Sequence, residues 1–184
     1  MRVITGSARG RSLRTLEGMD VRPTTDRVKE GMFSSVQFEL EGARVLDLFA
    51  GSGQLGIEAL SRGARSCTFV DAAKRSCDIV RDNLRTTGLE AAAQVSCMDF
   101  ASFLSSCGDS FDLVLLDPPY GQKQLPKALA LLQDRLSPGG RILCEHSREE
   151  ELPEEAGSLV RGKVYRYGRT RVTAYTHREG TSEE

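Results

Sequence analysis

The sequence predicts an α/β fold built on one mostly parallel sheet with helices on both faces. Three observations carry this. From residue 44 onward short apolar runs alternate with amphipathic stretches, the pattern of repeated strand-helix units. One such run, residues 45–49, leads directly into the glycine turn Gly51-Ser52-Gly53 and then a helical pattern. Finally, 184 residues suffice for one buried core but are short for two.

Each element has its own signal. Residues 2–5 and 12–15 read as short strands around the flexible loop 6–10, a small N-terminal hairpin with an arginine-rich tip. Pro23-Thr24-Thr25-Asp26 offers hydroxyl and carboxylate caps for a helix running to about Phe38, with Val28, Met32, Phe33 and Val36 as its apolar stripe. Strands then follow at 45–49, 67–70, 93–97, 113–116 and 142–144. Between them lie helices at 54–61, 73–84, near Phe103, and 124–136. Residues 164–167 and 171–175, around Gly168, read as a C-terminal antiparallel hairpin. The expected organisation is a basic extension over residues 1–40, a main domain over 41–178 and a disordered tail over 179–184.

A formal charge of -1 does not exclude a nucleic-acid partner, because phosphates meet local charge and not the total. Arg2, Arg9, Arg11 and Arg14 precede the first acid, Glu17. Arg161, Lys163, Arg166, Arg169, Arg171 and Arg178 fill the last segment, interleaved with Tyr165 and Tyr167. Both segments read as RNA-facing, with solvated surface as the plain alternative; the glutamate run at 149–155 reads as solvated surface. Cys67, Cys77, Cys97, Cys107 and Cys144 show no CxxC spacing, and His146 and His177 are the only imidazoles, so reduced buried thiols and no metal are expected. No stretch approaches the roughly 20 apolar residues that span a bilayer, and residues 1–6 lack the apolar core of a signal peptide. The expectation is a cytoplasmic monomer without a membrane partner.

Gly51-Ser52-Gly53-Gln54-Leu55-Gly56 matches GxGxxG, and Asp71, ending the next strand, lies at the spacing of a ribose-binding acid. This motif alone does not choose between NAD and S-adenosylmethionine. Asp47, inside the strand ahead of the glycines, tilts the choice, because a cationic methionine moiety favours a nearby anion. Asp99 follows the third strand, where a carboxylate can accept from an adenine amine while Phe100 flanks the ring; a simple helix N-cap is the competing reading. Asp47, Asp71 and Asp99 at successive strand ends place a methyltransferase above a dehydrogenase.

The most informative stretch is the buried run 111–116 ending in Asp117-Pro118-Pro119-Tyr120. Two successive prolines fix φ and remove two donors, so the loop is stiff and its Pro118 carbonyl is available as an acceptor. With Asp117 as second acceptor, both N–H bonds of an exocyclic base amine can be satisfied. That draws the nitrogen toward tetrahedral geometry and frees its lone pair for in-line attack on a sulfonium methyl. Tyr120 supplies a ring for the flipped-out base, a stacking worth roughly 1–3 kcal/mol. The tetrapeptide does not name the base, so guanine-N2 and adenine-N6 methylation stand beside a nucleotide- and RNA-binding module without catalysis.

On these residues the chain resembles the RsmD family of 16S rRNA (guanine-N2) methyltransferases. The likeness is carried by RVITGSARGRSL at 2–13, RPTTDRVKEGMF at 22–33, VLDLFAGSGQLGIEALSRGA at 45–64 and DLVLLDPPY at 112–120, with Tyr167-Gly168-Arg169-Thr170 weaker. The resemblance implies a Rossmann-like, class I S-adenosylmethionine-dependent methyltransferase fold and methyl transfer to a guanine N2 in small-subunit RNA, free or in an assembling 30S subunit. It also implies a cofactor site of Asp47, Gly51 and Gly53 around the methionine, Asp71 on the ribose, Asp99 and Phe100 on the adenine, and Phe49 beside them. Asp117, Pro118, Pro119 and Tyr120 would hold the guanine, and Arg9, Arg11, Arg22, Arg27 and Arg169 would meet RNA. Gln54 departs from the smaller residue usual there, and the first basic loop carries fewer lysines. Arg22, Thr24 and Arg27 are open between closing over the cofactor, gripping a phosphate and plain helix capping.

Overall fold

The computed structural model describes residues 1–16 and 24–179; Arg22 and residues 180–184 of the expected tail lie outside them. The elements in chain order are α1 (Asp26–Ser35), β1 (Arg44–Asp47), α2 (Gln54–Ser61), β2 (Ser66–Asp71), α3 (Lys74–Thr87), β3 (Ala93–Cys97), α4 (Phe100–Ser106), β4 (Phe111–Leu116), α5 (Gln124–Leu132), β5 (Leu136–Ser147), β6 (Glu155–Ala156), β7 (Leu159–Tyr167) and β8 (Thr170–His177). The strands form one sheet in the order β3-β2-β1-β4-β5-β8-β7-β6. β1 to β5 pair parallel, as strands joined by crossover helices must. β8 pairs antiparallel with both β5 and β7, so the C-terminal hairpin extends the sheet instead of a sixth parallel strand. Chain order reverses between β1 and β4, which opens a crevice at the carboxyl ends of those strands.

Two apolar layers enclose the sheet. One joins Val45, Leu113, Leu115 and Leu143 to α1, α2, α3 and the N-terminal residues Val3, Ala8 and Leu13; the other joins Leu46, Val114, Leu116 and Ile142 to α4 and α5. The split follows from side chains alternating across a strand. α1 behaves as its stripe predicts, with Val28, Met32, Phe33 and Val36 buried and Thr25 accepting from the Val28 amide.

Some boundaries differ from the sequence reading. The N-terminal hairpin is a single antiparallel bridge, Arg2 to Ser12, because its loop spends its polar groups on α2: the Ser7 amide donates to the Ser61 carbonyl and the Ala8 amide to Ser61 Oγ. α1 stops at Ser35, where Val36 turns inward and leaves Phe38 on the surface. α5 stops at Leu132, since Leu136 already pairs with Phe111 as the start of β5, and the Gly139-containing bulge separates that pair from the Leu113–Arg141 register. Cys67, Cys77 and Cys144 are buried as expected. Cys97 is exposed and Cys107 partly so, the first ending the edge strand β3 and the second ending α4.

α2 is buried on every side, wedged between the sheet and the N-terminal segment. Its inner face touches β2 so closely that a Cβ on Gly56 would lie 2.3 Å from the Phe69 ring and 2.7 Å from Cys67 Sγ. Replacing Gly56 with Ala is therefore expected to destabilise the chain by about 1–3 kcal/mol through overpacking. Urea unfolding measures it, and an unchanged midpoint would mean that helix and sheet slide apart without cost.

Candidate active site

The strand register gathers acids at one end of the sheet. Asp47 lies opposite Phe69 on one side and Leu115 on the other, and Leu115 lies opposite Leu143. Two residues further along each neighbour come Asp71, Asp117 and Glu145, on the same face by alternation. Four carboxyl groups thus line up across β2, β1, β4 and β5, with Asp99 just beyond β3. Asp47, Asp71, Asp99 and Asp117, with Glu145 set back behind them, border a cleft of about 850 Å³, inside the roughly 300–1,000 Å³ typical of cofactor sites.

The glycine loop forms one wall. Gly53, at φ 80°, caps α2 in the left-handed conformation that a side chain resists. Asp71 braces the loop, accepting from the Gly51 amide at 2.9 Å through Oδ2 and from the Ala73 amide at 2.9 Å through Oδ1. Asp47 Oδ2 accepts from the Gly56 amide at 2.9 Å, while its Oδ1 is buried without a partner. Burial pushes Asp47 up to about 7 against the pull of that amide, and the charges of Asp117 and Asp71 push the same way. An orphaned acceptor on a buried acid beside a cleft is what a cationic ligand would complete. Gln54 and Gln124, also on the cleft wall, each carry a buried Oε1 without a partner.

The far wall holds the aromatic residues. Phe49 and Phe100 stand with ring centroids 5.1 Å apart, tilted at 53°. Asp99 caps α4 by accepting from the Ser102 amide through Oδ1, and hydrogen bonding from Ser102, by its side chain first and its amide second, holds the carboxyl below the usual range. Capping and cleft lining coexist here, because the cap uses one oxygen of an exposed carboxylate.

Asp117, Pro118, Pro119 and Tyr120 close the third side. Burial pushes Asp117 up to about 6 although Thr24 Oγ donates to its Oδ2 at 2.9 Å. Tyr120 is half exposed; its hydroxyl lies 3.3 Å from Thr170 Oγ and donates to Glu145 Oε1 at 3.5 Å, tethering the ring to β5 and β8.

Ten of the sequence-predicted residues therefore meet at one cleft: Asp47, Phe49, Gly51, Asp71, Asp99, Phe100 and the four of the proline turn. Gly53 stands behind the wall, facing Val80. Arg9, Arg11, Arg27 and Arg169 are exposed on the surface outside the cleft lining. Sequence reasoning missed Glu145, whose signal is the one that singled out Asp47: an acid inside an apolar strand run. It also missed Gln54, Gln124 and the cleft-lining residues Met1, Thr15 and Leu16, which the local sequence does not distinguish. Among the described residues no group of three or more His, Cys, Asp and Glu is placed to hold a metal ion, and no helix is long and apolar enough to cross a membrane.

The family described as Conserved hypothetical protein 95 matches residues 1–176. The chain is 37% identical over 169 residues to the ribosomal RNA small subunit methyltransferase D of Escherichia coli (strain K12), a match covering 89% of this chain and 84% of that protein. The chain belongs to the RsmD family. YlbH of Bacillus subtilis (strain 168) is 45% identical over 183 residues, 97% of this chain and 100% of that protein. The solved structure of yhhF from Escherichia coli superposes with a TM-score of 0.86 at 31% identity, covering 96% of this chain and 97% of that one. The RsmD-family fold thus accounts for the sheet order and the antiparallel C-terminal strands together.

Both Asp47 and Asp117 bind protons more tightly than an ordinary aspartate at 3.8. In the free protein their stabilising contribution is complete below that value and is lost as pH rises through about 6 and about 7. A sulfonium seated among them favours the charged forms, so affinity for S-adenosylmethionine is expected to rise between about pH 5 and about pH 8. Calorimetry in buffers of different ionisation enthalpy reads the affinity and the protons released together. A flat profile would put the cation away from both carboxyls.

Proposed function

We propose that this RsmD-family chain transfers the methyl group of S-adenosylmethionine to the exocyclic N2 of a guanine in small-subunit (16S) ribosomal RNA, free or in an assembling 30S subunit. One observation carries the reading: the Asp117-Pro118-Pro119-Tyr120 turn and the acid-braced glycine loop border a single cleft. The relative named as a ribosomal RNA small subunit methyltransferase supports RNA as substrate.

S-adenosylmethionine, when bound, supplies an electrophilic methyl group on a sulfonium. Asp47 and its neighbours favour that positive charge, and Asp71, Asp99, Phe49 and Phe100 hold the nucleoside part. Asp117 and the Pro118 carbonyl accept the two amine hydrogens of the base, and Tyr120 stacks on its ring. Holding amine and methyl in line is the main contribution of the protein, and no covalent enzyme intermediate is needed. Arg9, Arg11, Arg27 and Arg169 lie exposed where an RNA backbone could meet them, with residues 1–40 forming the basic extension.

Digestion of small-subunit RNA to nucleosides after reaction with labelled S-adenosylmethionine tests the assignment. N2-methylguanosine is expected; N6-methyladenosine would change the base, and no transfer at all would leave a binding module. Asp117→Ala is expected to lower methyl transfer by about 100-fold or more with cofactor affinity close to wild type, whereas Asp71→Ala weakens the cofactor first. Equal loss of cofactor in both variants would overturn that division of roles. Replacing Arg9 and Arg11 with Gln is expected to weaken RNA binding across sequences and flatten its salt dependence by about one to two in log-log slope. An unchanged slope returns them to ordinary surface.

A further inference from the structure

The reaction outlined above leaves Gln54 without a part. This residue opens α2, directly after the left-handed Gly53, and is 7% exposed. It borders the cleft, yet its Oε1 is buried without a hydrogen-bond partner. An amide oxygen left so is a standing cost in the free protein, and packing alone would be served better by an apolar side chain. Rotation about the last side-chain bond, which has no sharp rotamer preference, turns that oxygen toward the cleft. Gln124, whose Oε1 is also orphaned, is only half-buried and opens α5, beyond the proline turn.

The neighbourhood says what kind of donor is missing. Asp47 Oδ2 accepts from the Gly56 amide, two residues after Gln54, so the Asp47 carboxyl stands against the turn that Gln54 opens. Its Oδ1 is likewise buried and unpartnered. Two orphaned acceptors, one of them on an acid, suit a ligand group that carries positive charge and several hydrogens. On S-adenosylmethionine the sulfonium has no hydrogen to give. The adenine amine and the ribose hydroxyls fall to Asp99 and Asp71, beyond β3 and at the end of β2, on the far side of β1 from the proline turn. What remains is the α-ammonium of the methionine part, with its three N–H bonds. The Asp47 carboxyl also offsets the positive end of α2, which would otherwise repel a cation.

We infer that Gln54 recognises the amino-acid end of the methyl donor: its Oε1 accepts from the α-ammonium of the methionine moiety, beside Asp47 Oδ1. This rests on the placement of the donor proposed above, with the nucleoside toward Asp71 and Asp99. Gln54 thereby selects a ligand that carries the ammonium and takes no part in bond making.

Calorimetry on the full-length variants Gln54→Ala, Gln54→Leu and Asp71→Ala tests this with three ligands. They are S-adenosylmethionine, its decarboxylated form, which keeps an ammonium, and 5′-methylthioadenosine, which lacks the amino-acid end. Both Gln54 variants are expected to weaken the first two ligands by about tenfold or more and to leave 5′-methylthioadenosine within about twofold of wild type. Leucine refills the volume without an acceptor, so wild-type binding in that variant would reduce Gln54 to packing and overturn the inference. Equal weakening of all three ligands would mean a disturbed glycine loop, and a decarboxylated ligand indifferent to both variants would make the carboxylate the partner; either result overturns it. Melting of the ligand-free protein is a second readout. Removing an orphaned acceptor is expected to leave the midpoint of Gln54→Leu at or above that of wild type, and a midpoint lowered by several degrees would make the residue a structural one instead. Unchanged binding in the Gln54 variants alone overturns the inference and spares the placement of the donor, whereas unchanged binding in Asp71→Ala as well overturns both.

Discussion

The carboxylate of Glu58 is the interaction on which the arrangement of this molecule depends. It is fully buried on α2, and it accepts from the Ile4 amide at 2.9 Å, the Thr5 amide at 3.0 Å and Arg62 Nε at 2.9 Å. Lys29 of α1, equally buried, brings its ammonium to 3.6 Å from the same group and donates to the Arg2 carbonyl at 2.8 Å. One charge thus gathers the N-terminal bridge, α1 and α2 around a single point. Burial draws the Lys29 ammonium below its ordinary value, and the charges of Glu58 and Asp26 oppose that. Such a pair adds little net stability over an apolar pair, but leaving either member alone is costly, so it specifies one docking geometry. Because α1 is held there, Thr24 reaches Asp117 and Glu145 across more than 90 residues of sequence.

The sheet turns that anchoring into a site. Parallel strands in register bring their carboxyl ends to one edge, and the reversal between β1 and β4 keeps the crevice between them uncovered by helices. Acids placed there lose hydration, which raises both Asp47 and Asp117, and the charges of Asp117 and Asp71 raise Asp47 further. Backbone amides of Gly51, Gly56 and Ala73 offset part of this cost, and a cation would offset more. The strain in charge is concentrated at the cleft where the proposed reaction would set an anion facing a sulfonium.

Most strands and helices from residue 44 onward were legible because hydrophobic periodicity is local. Gly51, Gly53 and the proline turn were legible for a related reason: each has a backbone requirement that few other residues meet. What escaped were elements with mixed signals. Leu136 carries an apolar side chain that serves a helix end or a strand start equally well, and its pairing with Phe111 settles the matter. β6 spans two residues, too few for any period. Cys97 is exposed because β3 happens to be the edge of the sheet, a fact of strand order and not of the strand's own composition.

The chain by itself determined the alternation of strands and helices, the glycine loop, the acids at strand ends and the proline turn, since each is written in contiguous residues obeying short-range sterics. Only the tertiary structure decided that Glu145 and Thr24 belong with Asp117, that Met1, Thr15 and Leu16 border the same cleft, and that β8 inserts antiparallel beside β5. These depend on register between strands and on a buried ion pair joining distant segments, and no local pattern encodes the distance between residues that meet only when the core closes.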